Sequence, residues 1–329
     1  MQNALIILQQ VAVMVLIALI GYLLVRGRKL DPLCTVSLSN ILLYAVTPGV
    51  IISAMQREYD AAEAGALLTA LLLAVGTHLI FILLARLLIR ERSGNQNIGV
   101  ERFALVMSNS SYIGIPMVQA VLGEDGVFFL TAYLVAFNLC LYSYGRLMMI
   151  VDSARRGLPG EPGCKSSLRQ CLVNPATVSV AIGGALYFLH IELPEVLLTV
   201  AQGFRGLNTV LSMLLVGIFI SQADLRQVFC SVRGIVLALL RLVALPLVLM
   251  LLLAALDLSR FVPDGYLIKT TIVIAACAPT AVAASFMGEL YGGDSIYAVR
   301  LIVLSTLMSV ATMPLLLLIW EWLVRLAGQ

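Results

Sequence analysis

Long apolar segments recur along this chain, and they constrain its fold more than any other feature. Each runs for roughly 20 residues, the length that an α-helix needs to cross the hydrocarbon core of a membrane, and short polar segments separate them. Hydrophobic residues make up 61% of the chain and charged residues only 12%, about half the charged share of an ordinary soluble domain. The sequence therefore predicts an all-α polytopic membrane protein. Ten spans are predicted, at residues 4–25, 33–53, 63–89, 102–122, 127–149, 172–190, 205–221, 232–256, 267–289 and 296–322.

Lysine and arginine are distributed unevenly between the predicted loops. Fourteen lie in or beside the loops after spans 1, 3, 5 and 7, and five lie on the opposite side. Because loops rich in Lys and Arg stay in the cytoplasm, both termini are predicted to lie outside. These charges orient the protein and do not indicate nucleic-acid binding. The first set is Arg26, Arg28, Lys29, Arg86, Arg90, Arg92, Arg102, Arg146, Arg155, Arg156, Lys165, Arg169, Arg226 and Arg233; the second is Arg57, Arg205, Arg260, Lys269 and Arg325.

Short similarities between the two halves of the chain indicate an internal repeat. The segment "LGEDGVFFLTAY" from Leu122 resembles "YGGDSIYAVRLI" from Tyr291, an offset of 169 residues, and "NILLYAVTPG" from Asn40 resembles "NTVLSMLLVG" from Asn208, an offset of 168. Five spans per half place the second half in the membrane upside down, so two inverted five-helix repeats are predicted. The predicted organisation is a first repeat at residues 1–150, a Gly-, Pro- and Ser-rich cytoplasmic linker at 151–170 and a second repeat at 171–329.

Polar and helix-breaking residues interrupt span 4 at its centre. The segment "SNSSYIGIP", residues 108–116, carries three serines, an asparagine, a glycine and a proline between two apolar runs. Span 9, its partner in the repeat, is interrupted at "CAPT", residues 277–280. Backbone groups freed by such breaks are costly in hydrocarbon, so breaks persist where they face protein or a water-filled cavity. Paired breaks at matched depth are typical of the substrate site of a transporter.

The residue types at the two breaks predict how an anion is held. Proline suits the first position of a helix, so Pro116 and Pro279 are predicted to start half-helices whose free N–H groups carry partial positive charge. Gly114 weakens the preceding turn further. Two such N-termini meeting at mid-membrane form a site for a small anion. Neutral hydrogen-bonding groups for this site are predicted on Asn109, Ser110, Ser111 and Thr280.

Motifs in several spans resemble one transporter family. The segment "NSSYIGIPMVQAVLGEDGV" in span 4 resembles the N-x-x-(aromatic)-(I/M)-G-(I/L)-P…G-x-x-G signature of bacterial members of the auxin efflux carrier family, with Tyr112 at the aromatic position. "FNLCLYSYG" in span 5 is similar to the F-N…Y-G element of that family, "NPATVSVAIGG" to its span 6 start, and Pro48 to its span 2 proline. The resemblance covers essentially the whole chain in the same order.

The resemblance implies both a fold and a mode of transport. Family members have ten spans in two inverted repeats with crossed, broken spans 4 and 9, a scaffold of spans 1, 2, 6 and 7, and a mobile unit that works by an elevator-like movement. They carry small organic anions, auxin in plants and malonate- or malate-type carboxylates in bacteria, which implies a place in a bacterial inner membrane. The crossover asparagine of the family maps to Asn109, and its span 5 asparagine maps to Asn138. Beside Pro279 the family has a polar residue, whereas this chain has Cys277 and Ala278.

Two ionisable residues lie within predicted spans and are further site candidates. His78 in span 3 is interpreted either as a proton carrier or as a neutral histidine that is hydrogen-bonded to a neighbouring helix. Arg241 in span 8 can face a cavity and attract an anion. Asp and Glu lie only at or near the span boundaries. Because proton–cation antiporters of similar architecture need a buried carboxylate, this pattern disfavours cation transport.

The residues leave three classes of function to compare. The leading hypothesis is a secondary carrier of small mono- or dicarboxylates, with coupling to protons or sodium left open. Its close alternative is a sodium-coupled organic-anion symporter of the bile-acid carrier type, and the third class is a membrane receptor or enzyme. No catalytic motif is found, and the six scattered cysteines fit neither a metal site nor a disulfide framework, so no enzyme activity, metal or cofactor is expected. Expected partners are the carboxylate and the lipid bilayer, with a homodimer through the scaffold spans as one assembly.

Overall fold

The computed structural model describes residues 2–91, 94–158 and 173–327, and most of them are helical. The α-helices are Gln2–Arg26, Cys34–Ile41, Thr47–Met55, Ala61–Leu88, Ile98–Val106, Ile115–Cys140, Arg146–Arg155, Pro175–Phe188, Glu195–Gln222, Leu225–Cys230, Val232–Leu239, Leu245–Ala255, Gly265–Cys277, Ala283–Tyr291 and Ser295–Leu326. Four π-helical turns, Leu42–Val46, Ser110–Gly114, Leu141–Gly145 and Leu240–Ala244, and a 3₁₀ turn at Leu258–Arg260 complete the described elements.

These helices confirm the predicted all-α polytopic membrane architecture. Within the described residues, seven helices are long and apolar enough to cross a membrane, and two shorter apolar helices lie at spans 6 and 9. Several boundaries differ from the predicted ones, most of all in span 7, whose helix begins at Glu195, ten residues before the predicted start. Span 5 stays helical to Arg155, five residues into the predicted linker. Residues 159–170 of the linker lie outside the described part of the chain.

Prolines explain where spans 2, 4 and 8 depart from regular α-helix. Pro48, Pro116 and Pro246 each lie at the second position of an α-helix that directly follows a π-helical turn. A proline has no N–H to donate, and its ring crowds the carbonyl group one turn earlier. A wider turn before the proline relieves this crowding.

Spans 1, 2, 6 and 7 pack against one another and form one group of helices. Span 1 lies along span 7, and span 2 lies between spans 7 and 6. Gly217 of span 7 makes this packing close, because a Cβ atom added there would collide with the carbonyl of Ala18 in span 1. The remaining spans form a second group, in which spans 3 and 9 pack against spans 4 and 5, which are joined at a kink at Gly123, and spans 8 and 9 pack against span 10.

Corresponding turns in the two halves match the sequence repeat. Gly123 bends the helix between spans 4 and 5 at φ 68°, and Gly292 ends span 9 at φ 80°. The two glycines are 169 residues apart, and both have a left-handed backbone that favours glycine. The contact of span 1 with span 7 also has a counterpart, the contact of span 2 with span 6. Full inverted symmetry of the two halves stays a prediction.

Candidate functional site

Spans 4 and 9 are both broken, and their extended segments cross. Span 4 consists of helix 4a (Ile98–Val106) and helix 4b (residues 110–122), and span 9 consists of helix 9a (Gly265–Cys277) and helix 9b (Ala283–Tyr291). Ser108 and Thr280 form an antiparallel β-bridge between them. The N–H of Asn109 donates to the carbonyl of Pro279 at 2.7 Å, and the N–H of Ala281 donates to that of Met107 at 2.9 Å. The predicted crossing of two broken helices is thereby confirmed.

The two prolines do not start the half-helices, so that prediction is wrong. Pro116 lies six residues into helix 4b, which begins at Ser110 after Asn109. The carbonyl of Asn109 accepts from the N–H groups of Ile113 and Gly114 at 3.0 and 3.1 Å, which makes Asn109 the capping residue. Pro279 lies inside the extended segment, and the preceding Ala278 has φ −61° and ψ 147°, because a residue before proline avoids the helical conformation.

Spans 5 and 10 hold the crossing from the outside. The N–H of Thr280 donates to Ser305 Oγ at 3.1 Å, and its hydroxyl donates to the carbonyl of Ala104 at 3.2 Å. The hydroxyls of Ser108 and Tyr133 lie 3.1 Å apart. Thr280 was predicted to offer a hydroxyl to a ligand, but that group already has a partner within the protein, so its role at the crossing is to fix the backbone.

Two polar groups at the start of helix 4b have no partner among the described residues. They are Asn109 Nδ2 and Ser110 Oγ, and both side chains are buried. Leaving a buried polar group without a hydrogen bond costs about 1–3 kcal/mol. The next two predicted residues, Ser111 and Tyr112, are partly exposed. Gly114 is buried against the backbone of Ala275 in helix 9a, which brings helix 4b close to span 9.

Arg241 reaches the crossing from span 8. Its side chain is buried, and Nη2 donates to the carbonyl of Ala278 at 2.8 Å, just beyond helix 9a. The guanidinium carbon lies 5.6 Å from the ring centroid of Phe81. Nε and Nη1 have no partner among the described residues. A buried cation at the carboxyl end of a helix is stabilised by the helix dipole, while two of its donor atoms remain available.

His78 lies beside the crossing and is bound to its own helix. Its Nδ1 lies 2.8 Å from the carbonyl of Ala74, and its ring centroid is 5.0 Å from that of Tyr133. A carbonyl can only accept, so Nδ1 carries the proton. Nε2 is buried and has no partner among the described residues. This geometry fits the interpretation of a neutral histidine, here bonded within its own helix rather than to a neighbour.

Two predicted site residues have roles away from the crossing hydrogen bonds. Asn138 in span 5 donates its amide to the carbonyl of Leu134 at 2.8 Å. Pro48 lies in span 2, within the group of spans 1, 2, 6 and 7, where it follows the π-helical turn Leu42–Val46.

Three residues had no predicted site role: two of them bind the crossing, and the third lies on a helix that contacts its edge. Tyr133 and Ser305 hold the crossing, and their sequence positions give no signal of this. Asn208 in span 7 is buried, and neither its Nδ2 nor its Oδ1 has a partner among the described residues. Span 7 contacts the Ser110–Gly114 turn. The only signal for Asn208 was its place at the start of a repeated segment.

Buried carboxylates lie at the far end of helix 4a rather than at the crossing. Asp152 accepts from the N–H groups of Gly99 and Val100 at 2.6 and 2.9 Å. Glu101 is paired with Arg233, and it precedes the break at Met107 by six residues, or roughly 9 Å of helix. Within the described residues, no cluster of His, Cys, Asp and Glu could hold a metal ion.

Comparison with protein families now identifies the class of this chain. The sequence profile of the family described as membrane transport protein, which is the auxin efflux carrier family, matches residues 6–317. The chain belongs to this family. It is therefore a multi-pass membrane transporter, and the resemblance found in the span 4, 5 and 6 motifs is confirmed. No individual curated protein matches the chain.

Proposed function

We propose that this transporter carries small organic anions, mono- or dicarboxylates, bound at the crossing of spans 4 and 9. The observation that carries the proposal is a set of buried hydrogen-bond donors around the crossing that have no acceptor among the described residues. They are Asn109 Nδ2 and two nitrogens of Arg241, and the hydroxyl of Ser110 adds a group that can donate or accept.

A carboxylate matches these groups in number and charge. Its two oxygens accept several hydrogen bonds, and the start of helix 4b offers partial positive charge beside Asn109. Arg241 supplies a full positive charge and can donate two hydrogen bonds to one carboxylate. Because charge-assisted bonds in a buried site are stronger than neutral ones, Arg241 is the residue that we expect to select anions over neutral molecules.

The two groups of helices support an elevator-like movement. The crossing belongs to the group of spans 3, 4, 5, 8, 9 and 10, and the group of spans 1, 2, 6 and 7 would serve as the scaffold. Ion pairs join the groups at one face, and two of them link residues distant in sequence: Arg205 of span 7 with Glu124 at 2.5 Å, and Arg57 with Asp125. A sliding movement of one group past the other would have to break both pairs.

The orientation and location belong to the same proposal. The fourteen positive residues in the loops after spans 1, 3, 5 and 7 favour a topology with these loops in the cytoplasm and both termini outside. In the bacterial setting that the span 4 motif favours, the protein lies in the inner membrane. A homodimer through the scaffold spans is the assembly that the family resemblance suggests.

Transport by purified protein in liposomes tests this function. We expect uptake of one or more labelled mono- or dicarboxylates from a panel, with sodium and proton gradients imposed separately to identify the coupling ion. Asn109→Ala should abolish uptake without affecting insertion, whereas Asn40→Ala, at an exposed asparagine of span 2, should transport normally. Uptake that disappears without sodium would support the sodium-symporter alternative. Normal uptake by Asn109→Ala would show that the substrate binds elsewhere.

A further inference from the structure

A cavity of about 270 Å³ lies at the boundary between the two groups of helices. Its walls come from spans 1 and 7 on one side and from helix 4b and span 10 on the other. Apart from hydroxyl-bearing side chains such as Tyr22, the wall residues are apolar. Four buried methionines, which adapt readily to flexible apolar ligands, form much of the wall: Met14, Met117, Met213 and Met313.

The cavity opens sideways between spans 1 and 10. Val15 and Leu19 of span 1 and Val310 of span 10 line it while being 38%, 46% and 40% exposed. These residues lie in the middle of membrane-spanning helices, so their exposed surface faces hydrocarbon. An apolar ligand can therefore enter from the lipid without passing through water.

The length of this groove matches one leaflet of a bilayer. Along span 1 it extends from Val11 to Tyr22, a distance of roughly 16 Å at 1.5 Å per residue. The hydrocarbon core of a bilayer is about 30 Å thick, so half of it corresponds to the groove. A linear acyl chain of one leaflet fits this shape better than a compact ligand does.

Positive charge lies at one end of the groove. The guanidinium carbon of Arg26 is 5.5 Å from the ring centroid of Tyr22, and Arg28 and Lys29 follow in the next turn of the chain. All three side chains are exposed, and no acidic group of the described residues forms an ion pair with them. A lipid headgroup above the acyl chain would meet these charges.

We propose that the groove between spans 1 and 10 binds an acyl chain of an anionic glycerophospholipid, whose phosphate is held by Arg26, Arg28 and Lys29. The apolar walls suit the acyl chain of the lipid. The three basic residues favour an anionic headgroup over a net-neutral one, because each basic residue near the membrane surface attracts anionic lipid. The site is distinct from the crossing and does not depend on which substrate is transported.

Native mass spectrometry of the delipidated full-length protein tests the proposal. Phosphatidylglycerol and phosphatidylcholine with identical acyl chains are added separately, and the bound fraction is measured. We expect one phosphatidylglycerol to be retained with at least about tenfold preference. Val15→Trp, which fills the groove, should reduce its binding at least about tenfold. Val13→Trp is the matched control, since Val13 is an exposed valine of the same helix that does not line the cavity.

A third variant separates the contribution of the lipid headgroup to binding from that of the acyl chain. Replacing Arg26, Arg28 and Lys29 together by glutamine should remove the preference for phosphatidylglycerol while both lipids still bind weakly. If Val15→Trp aggregates, Val310→Trp on the opposite wall takes its place. Equal retention of the two lipids by the unmodified protein, or equal losses in Val13→Trp and Val15→Trp, would overturn the proposal. Displacement of the lipid by a transported carboxylate would assign the groove to the substrate instead.

Discussion

Replacing Arg241 by methionine gives the sharpest test of the proposed anion site. Arg241 is a buried cation that donates one hydrogen bond, to Ala278, among the described residues and lies against the ring of Phe81. Losing a hydrogen bond from a charged donor costs about 1.5–3 kcal/mol, but removing an unpaired buried charge also removes a desolvation penalty of several kcal/mol. We therefore expect Arg241→Met to fold with nearly unchanged stability.

Substrate binding should respond very differently. Removing one partner of a buried charge pair weakens the free energy of binding by about 2–5 kcal/mol. We take roughly 3 kcal/mol, which corresponds to about a hundredfold weaker affinity. At a substrate concentration of 100 Kd, the unmodified protein gains roughly 2.7 kcal/mol of stability. At that same concentration the variant should gain only about 0.4 kcal/mol by the same relation.

Thermal unfolding with and without a transported carboxylate measures this difference directly. Arg300→Met is the control, because Arg300 in span 10 donates to Gln227 at 2.6 Å and takes no part in the crossing. It should keep the full stabilisation by substrate. If Arg241→Met is stabilised by the carboxylate as strongly as the unmodified protein, Arg241 does not contact the substrate and the electrostatic reasoning fails.

Three further predictions concern the frame around the site. Arg205→Gln removes an exposed ion pair between the two groups of helices. The free energy of unfolding should therefore change by less than about 1 kcal/mol, while the initial uptake rate should rise up to about fivefold. An unchanged rate would contradict the elevator-like movement. Asp152→Ala leaves two buried N–H groups of helix 4a without acceptors and should lower the free energy of unfolding, measured by thermal unfolding, by about 2–4 kcal/mol. The control Asp224→Ala removes an exposed helix cap and should lower it by about 1 kcal/mol. Gly217→Val should prevent spans 1 and 7 from packing and lower the yield of folded protein, whereas Gly203→Val, in open space on the same helix, should not.

The sequence was sufficient for the all-helical membrane architecture, the crossing and the family because these depend on local or repetitive signals. The apolar lengths follow from the thickness of the membrane. A broken span also carries polar or helix-breaking residues in its own sequence, as residues 108–116 do. The start of helix 4b was misassigned because Pro116 is accommodated after a π-helical turn inside the helix rather than at its first position. Capping by Asn109 depends on its own backbone conformation, which its residue type alone does not reveal.

Contacts between distant spans could not be predicted from sequence. Tyr133 and Ser305 hold the crossing only because spans 5 and 10 pack beside it, and each lies 25 residues along the chain from its partner at the crossing. Arg241 was recognised as a candidate, but its bond to Ala278 joins spans 8 and 9 through a backbone carbonyl. Backbone carbonyls carry no side-chain signature, so a single sequence cannot reveal which of them an arginine will bind.

The hydrogen bonds at the crossing also bear on whether its ligand is an anion or a cation. A sodium ion needs oxygen ligands, of which backbone carbonyls at a helix break are the usual source. Here the carbonyls of Ala104, Met107, Ala278 and Pro279 accept from Thr280, Ala281, Arg241 and Asn109, respectively. Among the described residues, the buried groups of Asn109, Ser110 and Arg241 that lack partners are mainly donors, and Arg241 carries a full positive charge. A cation placed among them would be repelled by Arg241 and would find few oxygens that do not already accept a hydrogen bond. We therefore expect any coupling sodium ion to bind away from this crossing. Substitution of Asn109 should then weaken carboxylate binding equally with and without sodium.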